Sequence, residues 1–466
     1  GGRAAPSYRA ASARPVGRLA AMDLPIPTSL LLRAREAADA AVPAFLADLE
    51  RLVSIDCGSY TKAGVDEVGR WVAERLGATG ASIETVPDAT LGDTIVGRIS
   101  GDPTRPTVLM IGHLDTVFDP GTAAARPFRI DADGMARGPG VTDMKGGLLT
   151  GLYALRIARD LAAAAATPLG TVIFIANPDE EIGSPVSAPV IRREAAGVDA
   201  ALVLECGRAN GDIVAQRKGI LDVELRITGR AAHAGVEPEK GRSAILEAAH
   251  KVIALHALNG RRPGVTVNAG VVRGGSRPNV VPADAIVQVD MRAVERDALE
   301  AVEAAVRAIA AAATVPDTTC EVVELGRHWP MERLERSGRL LDAAIAVAAG
   351  IGFATKGAST GGASDANTTA GMGIPTLDGL GPVGGGGREQ RVDLQPAGAG
   401  RMRRVAEQQE AAQHAHHEQA FEQVGEPRVA GLVVRDQADH GIGGHLQDRK
   451  STRLNSSHVA LSRMPS

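Results

Sequence analysis

The stretch TVIFIANPDEEIGS, residues 171–184, decides the fold. Its first half, Thr171–Ala176, is short, apolar and rich in β-branched residues, the composition of a buried strand. Its second half leaves that strand with three consecutive acids, Asp179, Glu180 and Glu181, set between the turn formers Asn177-Pro178 and Gly183. Buried strands that release polar residues at their carboxyl ends form the pattern of an open α/β sheet, in which ligands bind outside that edge. A solvated turn accounts for the Asn-Pro and the Gly. It does not account for three mutually repelling carboxylates, which require a cation, a proton-handling role, or both.

The alternation continues outward from this stretch. Phe45, Leu46, Leu49, Leu52 and Val53 form a helical stripe with Pro43 expected at its start, and Val65, Val68, Val72 and Leu76 form another. Strands are expected at Ile95–Ile99, Thr107–Ile111 and Ala200–Leu204, and a helix from about Gly146 carries Leu148, Leu149, Leu152 and Leu155 on one side. Strands alternating with helices predict an α/β domain with a mostly parallel sheet covered on both faces. Residues 219–325 change style. Leu221, Val223, Leu225 and Ile227 alternate with polar residues, marking a half-exposed strand. A helix (Ser243–Leu258), strands at Val265–Val272 and Ala285–Arg292, a helix with Leu299, Val302, Val306 and Ile309 in register, and a strand at Cys320–Leu325 follow. That order is β-α-β-β-α-β, the split βαβ motif, and its open sheet face should dock or dimerise. A helix at Ser337–Ala349 and Gly-rich loops then restore the α/β style. The expected division is 22–216 and 328–393 for one catalytic domain, interrupted by an inserted α+β domain at 217–327.

Composition excludes several classes. With 466 residues the chain has room for two or three domains, and with 2% aromatics alanine and valine are expected to do most of the core filling. A net charge of −4 with mixed signs gives no reason to expect nucleic acid or an anionic membrane as partner. No run of 18 apolar residues marks a membrane span. Three scattered cysteines (Cys57, Cys206, Cys320) suit a reducing compartment and argue against a disulfide scaffold. Residues 1–21 hold four arginines, no acid and no methionine, and are expected to be an untranslated or disordered leader before Met22. Past Gly387 the strand–helix alternation stops, and six of the eleven histidines fall there. Residues 394–466 are expected to be a frame-shifted or chimeric tail, within which Asp448–His458 back-translates into a sequencing adapter. The His414, His416 and His417 tract lies in that tail and is read as noise.

The chemistry collects at the strand ends. Thr107–Ile111 leads into His113 and Asp115, the loop GPGVTDMKGG supplies Asp143, and Ala200–Leu204 is followed by Glu205. Singly, each has an ordinary explanation, such as a helix N-cap for Asp143. Together they place several acids and one imidazole on one crevice, an arrangement that repels itself unless a cation sits within it. Imidazole with carboxylates suits zinc or a similar first-row ion, and the number of carboxylates suits two ions about 3.5 Å apart. One glutamate of the 180/181 pair is then spare to take a proton from water.

GHLDTV, GVTDMKGG, NPDEEIGS, LVLE, RAAHAG and the closing GGASD…GIPTLDGLGPVGGG resemble the co-catalytic zinc metallopeptidases of the glutamate carboxypeptidase (carboxypeptidase G), aminoacylase and acetylornithine deacetylase group, over roughly Met22–Gly387. The resemblance implies a phosphorylase/hydrolase-like catalytic domain carrying a ferredoxin-like dimerisation domain. It implies that His113 and Glu205 bind one zinc, Asp143 bridges, Glu181 binds the second, Glu180 is general base and then acid, and Asp115 orients His113. A cis peptide at Asp143–Met144 is implied too. His233 corresponds to the histidine that reaches the scissile carbonyl of a neighbouring subunit, which implies a homodimer. Asn279 and Arg292 correspond to contacts with a substrate carboxylate, and Gly361, Gly362 and Ser364 to backbone donors. The implied activity is cleavage of an amide beside a free carboxylate in a small peptide or N-acyl amino acid, with C-terminal glutamate the first expectation. Cytoplasmic placement is expected, with the periplasm open, since the family occupies both.

One departure stands out. The family's second zinc takes a histidine after the closing glycine run, but here Gly384–Gly387 leads into Arg388 and Glu389. Inserting Ala-His after Gly386 would restore a family-like continuation. Three alternatives follow: a deacylase or dipeptidase of the same family, a catalytically impaired binding homologue, or a nucleotide binder. The last is disfavoured, because GPVGGGG lacks the Lys-Ser/Thr of a P-loop and GGASD lacks GxGxxG spacing.

Overall fold

The computed structural model describes residues 26–132 and 134–385, and the backbone of 391–393. The expectations for residues 1–21, for the glycine run's exit at 386–390 and for 394–466 lie outside the described residues.

A long helix α1 (Thr28–Val53) and α2 (Lys62–Ala78) precede strands β1 (Ser82–Val86), β2 (Thr94–Ile99) and β3 (Val108–His113). Helix α3 (Gly146–Ala164), β4 (Val172–Asn177), α4 (Ala188–Ala195) and β5 (Ala200–Val203) follow. After β6 (Ile213–Arg217) come β7 (Gly219–Thr228), α5 (Ala244–His256), β8 (Thr266–Gly274), β9 (Asp284–Ala293), α6 (Arg296–Ala311) and β10 (Thr319–His328). Helix α7 (Glu335–Gly350), β11 (Gly357–Thr360), α8 (Asp365–Gly371) and β12 (Thr376–Leu377) complete the larger elements.

The central sheet has the order β1-β2-β4-β3-β5-β12. Its β4-β3-β5-β12 portion is parallel, and β2 and β1 are added antiparallel. Leu109, Ile111 and Ile175 are fully buried, as expected for strands covered on both faces. Leucine rather than alanine supplies the largest share of this core, with valine next, so of the two residues expected to fill it only valine does so to any extent. Parallel strands send their carboxyl ends to the same edge, so His113, Asn177 and the segment after Val203 emerge side by side.

The second sheet is antiparallel, order β8-β9-β7-β10, with α5 and α6 on one face. Every other residue of β7 is buried, from Gly219 to Ile227, against Leu299, Val302 and Val306 of α6. The split βαβ reading is therefore borne out, and so is the two-part fold class. The opposite face presents Asp222, Gln288 and Asp290 to a cleft of about 890 Å³, across from residues 180–185 and Ala363–Asp365.

Two expectations need correction. Pro43 does not start a helix but sits inside α1. The carbonyl that loses its donor belongs to exposed Asp39, where water can replace the lost bond. Strand β1 was not expected, because its partly exposed edge position leaves a weak apolar pattern.

Candidate active site

His113 closes β3 and is 1% exposed. Its Nδ1 faces the Asp115 carbonyl at 3.0 Å and the Asp115 carboxylate at 3.3 Å. Both are acceptors, so Nδ1 carries a proton and Nε2 is the nitrogen left to face the crevice and to serve a cation once its own proton is displaced. Nε2 lies 3.1 Å from Asp143 Oδ1, 3.7 Å from Glu205 Oε1 and 3.9 Å from Glu180 Oε2. Ligand atoms of His113, Asp143 and Glu205 lie within 4.8 Å of one another.

Each side chain is delivered by a local feature. Asp143 sits on a turn with non-helical backbone just before α3, and the Asp143–Met144 peptide is cis, as the sequence resemblance implied. It is no helix cap, because α3 takes Lys145 as its N-cap residue without a side-chain bond. Gly147 lets α3 press on the strand end: a Cβ there would lie 1.8 Å from the Leu204 carbonyl. Glu205 follows immediately. Asp179 shapes the turn, its Oδ2 accepting from the amides of Val186 and Ser187. Asp115 is fully buried and holds three parts together. It faces His113 and accepts from Ser59 Oγ at 2.7 Å and from the amides of Glu180 and Glu181 at 3.1 and 3.2 Å.

The electrostatics describe a cluster short of positive charge. Burial, then the neighbouring Asp143 charge, pushes the Glu205 carboxyl up to about 8. Burial, aided by Asp143 and Asp115, brings Glu181 to about 7. Burial and the Glu205 charge hold Glu180 well above the carboxylate range. Burial opposes protonation of His113, but Asp115 and Asp143 outweigh it and hold the imidazole well above its ordinary value. Oε1 of Glu181 is buried and accepts no hydrogen bond. Converging carboxylates, an imidazole whose Nε2 faces them and an orphaned buried oxygen fit a divalent cation that would take the place of the ring's second proton.

The substrate-side residues are more scattered. His233 and Asn279 lie together on the exposed surface of the inserted part, where Ala234 N donates to the Asn279 carbonyl. His233 Nδ1 accepts from Gly235 N at 3.2 Å, so its Nε2 is the proton-bearing nitrogen when the ring is neutral. The Arg292 fork is engaged by Asp290, and its Nη1 donates to the Gly361 carbonyl at 2.9 Å. The Gly362 carbonyl accepts from Arg217. Ser364 was expected to offer its amide to substrate. That amide instead donates to Asn367 Oδ1, because the residue caps α8.

Several residues were not singled out from sequence. Ser59 supports Asp115 from a different segment. Arg217, 5% exposed, donates to Asp378 at 2.6 Å, and Asp378 also accepts from Ser364 Oγ at 2.7 Å. Asp365 is buried and clasps the loop that carries Glu180. Asp365 and Asp378 fall inside motifs already quoted, whereas Ser59 and Arg217 carry no local signal.

Residues 215–318 match the model of a peptidase dimerisation domain. Carboxypeptidase G2 of Pseudomonas sp. (strain RS-16) is 30% identical over 356 residues, spanning 75% of this chain and 84% of that protein. Among solved structures, aminopeptidase PepT of Bacillus cereus is similar with a TM-score of 0.63 at 23% identity, over 78% of this chain and 95% of the other. An M20 family metallo-carboxypeptidase of Sulfolobus solfataricus gives 0.58 at 16% identity, over 75% and 95%. At these identities the two structures speak to fold alone.

Proposed function

The chain belongs to the M20 family of metallopeptidases, and on that premise we propose that it is a zinc-dependent exopeptidase cleaving an amide beside a free carboxylate, with C-terminal glutamate as first substrate. Membership makes it a hydrolase working with a divalent metal. The observation that carries the reading is the convergence of His113, Asp143 and Glu205, with Glu180 and Glu181 on the adjoining loop.

In this reading His113, Asp143 and Glu205 would hold a zinc ion, and Glu181, with its buried unpartnered oxygen, would serve a second together with Asp143. A bound divalent ion supplies carbonyl polarisation and a more acidic water. Glu180 takes a proton from the attacking water and passes it to the departing nitrogen as the C–N bond breaks. Asp115 keeps His113 in the Nδ1–H tautomer and fixes the amides of Glu180 and Glu181, so base and ligand stay in register.

The inserted segment, taken as 217–327, is proposed to form a homodimer. Support comes from the matched dimerisation domain and from Ile245, Leu246 and Ile253 of α5 and Val272 of edge strand β8, all exposed. His233 would then offer its Nε2–H to the neighbouring active site, with Asn279 and Arg292 toward the substrate carboxylate. Three free cysteines favour a reducing, cytoplasmic setting. Among the described residues no helix is long and apolar enough to cross a membrane.

The test is hydrolysis of a panel of N-acyl amino acids, including N-benzoylglutamate, with bound zinc counted by elemental analysis. Preference for acidic C-terminal residues and loss of activity in E180Q support the reading. Preference for short acyl groups on neutral amino acids points to a deacylase. The missing histidine after the closing glycine run, where Gly387 leads into Arg388, favours a second reading as an impaired binding homologue. Binding of N-benzoylglutamate without turnover would support it.

A further inference from the structure

Asp365 has no part in the metal or proton chemistry described above, yet it is buried and aims both oxygens at the loop that carries Glu180. Oδ2 accepts from Asn177 Nδ2 at 2.7 Å, and Oδ1 accepts from Ser184 Oγ at 2.6 Å. Asn177 ends β4, and Ser184 follows Gly183 where the loop leaves the site. One carboxylate therefore spans the entry and the exit of the loop. An acid in the first turn of a helix is ordinarily explained by the helix dipole, but here both oxygens are spent on the loop. Ser184 has φ +55°, a left-handed conformation that a residue with a side chain keeps only where its surroundings hold it. Asp365 grips that residue. The opposite side of the loop hangs on Asp115, through the amides of Glu180 and Glu181.

Two residues further along α8, Asn367 is 1% exposed and makes the complementary grip. Its Nδ2 donates to the Lys218 carbonyl at 3.0 Å and to the Trp329 carbonyl at 2.7 Å. Lys218 lies between β6 and β7, and Trp329 follows β10. These are the two places where the chain crosses between the sheets. The crossings also bond to each other, Arg217 with Met331, amide to carbonyl in both directions at 3.1 Å.

We propose that Asp365 is the positioning residue of the Glu180 loop, and that through Asn367 the same helix turn binds the two crossings between the sheets and the loop into one mechanical unit. Its catalytic consequence rests on Glu180 being the base; the mechanical coupling does not.

The test pairs amide hydrogen exchange on the full chain with kinetics on N-benzoylglutamate. D365A and D365N both remove the charge, but the amide of D365N can still accept from Asn177 and donate to the Ser184 hydroxyl. In D365A, kcat should fall about 100-fold with KM within about threefold, the cost of a misplaced group rather than a lost contact. D365N should stay within about tenfold of the parent. Exchange at Gly183, Ser184 and Val186 should speed up in D365A. It should also speed up in N367A, although Asn367 bonds to no residue of that loop. Equal losses in D365A and D365N would overturn the clasp. Faster exchange in N367A confined to 217–219 and 329–331 would overturn the coupling. Should D365A fail to fold, exchange in D365N and N367A decides. If the parent cleaves no N-acyl amino acid, the proposed function falls while the exchange pattern still decides the coupling.

Discussion

Two buried charge clusters, one beside each sheet, show opposite solutions to the same problem. In the inserted part, Lys251 Nζ lies 2.8 Å from Glu247 and donates to the carbonyls of Ile309 and Ala312, at the end of α6. Glu247 in turn accepts from the amides of Thr314 and Val315. Burial alone would raise the Glu247 carboxyl, but Lys251 and those amides outweigh it and hold it below the usual range. At the carboxyl edge of the central sheet, by contrast, Glu181 keeps an unpartnered buried oxygen and Glu181 and Glu205 are pushed to about 7 and about 8. Burial of charge therefore does not by itself mark a functional site. The mark is buried charge whose partner the protein does not supply.

The comparison can be broken most sharply by removing one charged group from each cluster. E180Q should lose activity by about 10³-fold while melting within a few degrees of the parent, because a spare acid in an over-charged cluster is no structural support. Next in size, K251A should leave Glu247 buried and unpaired and cost about 3–5 kcal/mol, measured by urea unfolding. Its activity per folded molecule should not change. If K251A instead abolished activity in folded protein, the division into structural and functional charge would be wrong.

A pH series on metal-free protein reads the two regions with opposite sign. Glu205 and Glu181 titrate at about 8 and about 7 in the folded chain against 4.5 unfolded, so between those values the native state binds more protons. Their contribution to stability is lost as pH rises through that window, at up to about 1.4 kcal/mol per pH unit for each group. Glu247 is held below 4.5, so its contribution is present above that value and is lost as pH falls through its folded value. Chelated protein should thus be more stable at pH 6 than at pH 8 and weaken again in acid. Saturating zinc should remove the alkaline loss, and a zinc-independent curve would count against a metal centre here. The smallest effect concerns the inserted part's outer face. Ile253 is 70% exposed, so I253D should leave the melting temperature of the subunit within a few degrees while shifting light-scattering mass from dimer toward monomer.

Much of this arrangement was legible along the chain, for a specific reason. A parallel sheet turns a local pattern, an apolar run followed by His or acid, into a shared location, because all such runs end at one edge. That rule placed His113, Glu180, Glu181 and Glu205 on one crevice, and Asp143 was added from the Gly-rich loop before α3. It was silent about Ser59 and Arg217, whose partners lie 56 and 161 residues away. It also missed Pro43 inside α1, because whether a helix tolerates a proline depends on what covers the freed carbonyl.

The sequence by itself determined the two sheet styles, the order of their elements and the acids and imidazole at the strand ends. These are properties of short periodic segments and of what immediately follows them. Only the tertiary structure decided that Asp115, already expected beside His113, also holds the Glu180 loop, and that the Ser364 amide and the Arg292 fork are engaged within the chain. It alone placed Asp365 and Asn367 on a single turn between the Glu180 loop and the two crossings. A hydrogen bond between distant segments depends on where the backbone brings two side chains, and no spacing along the chain records that.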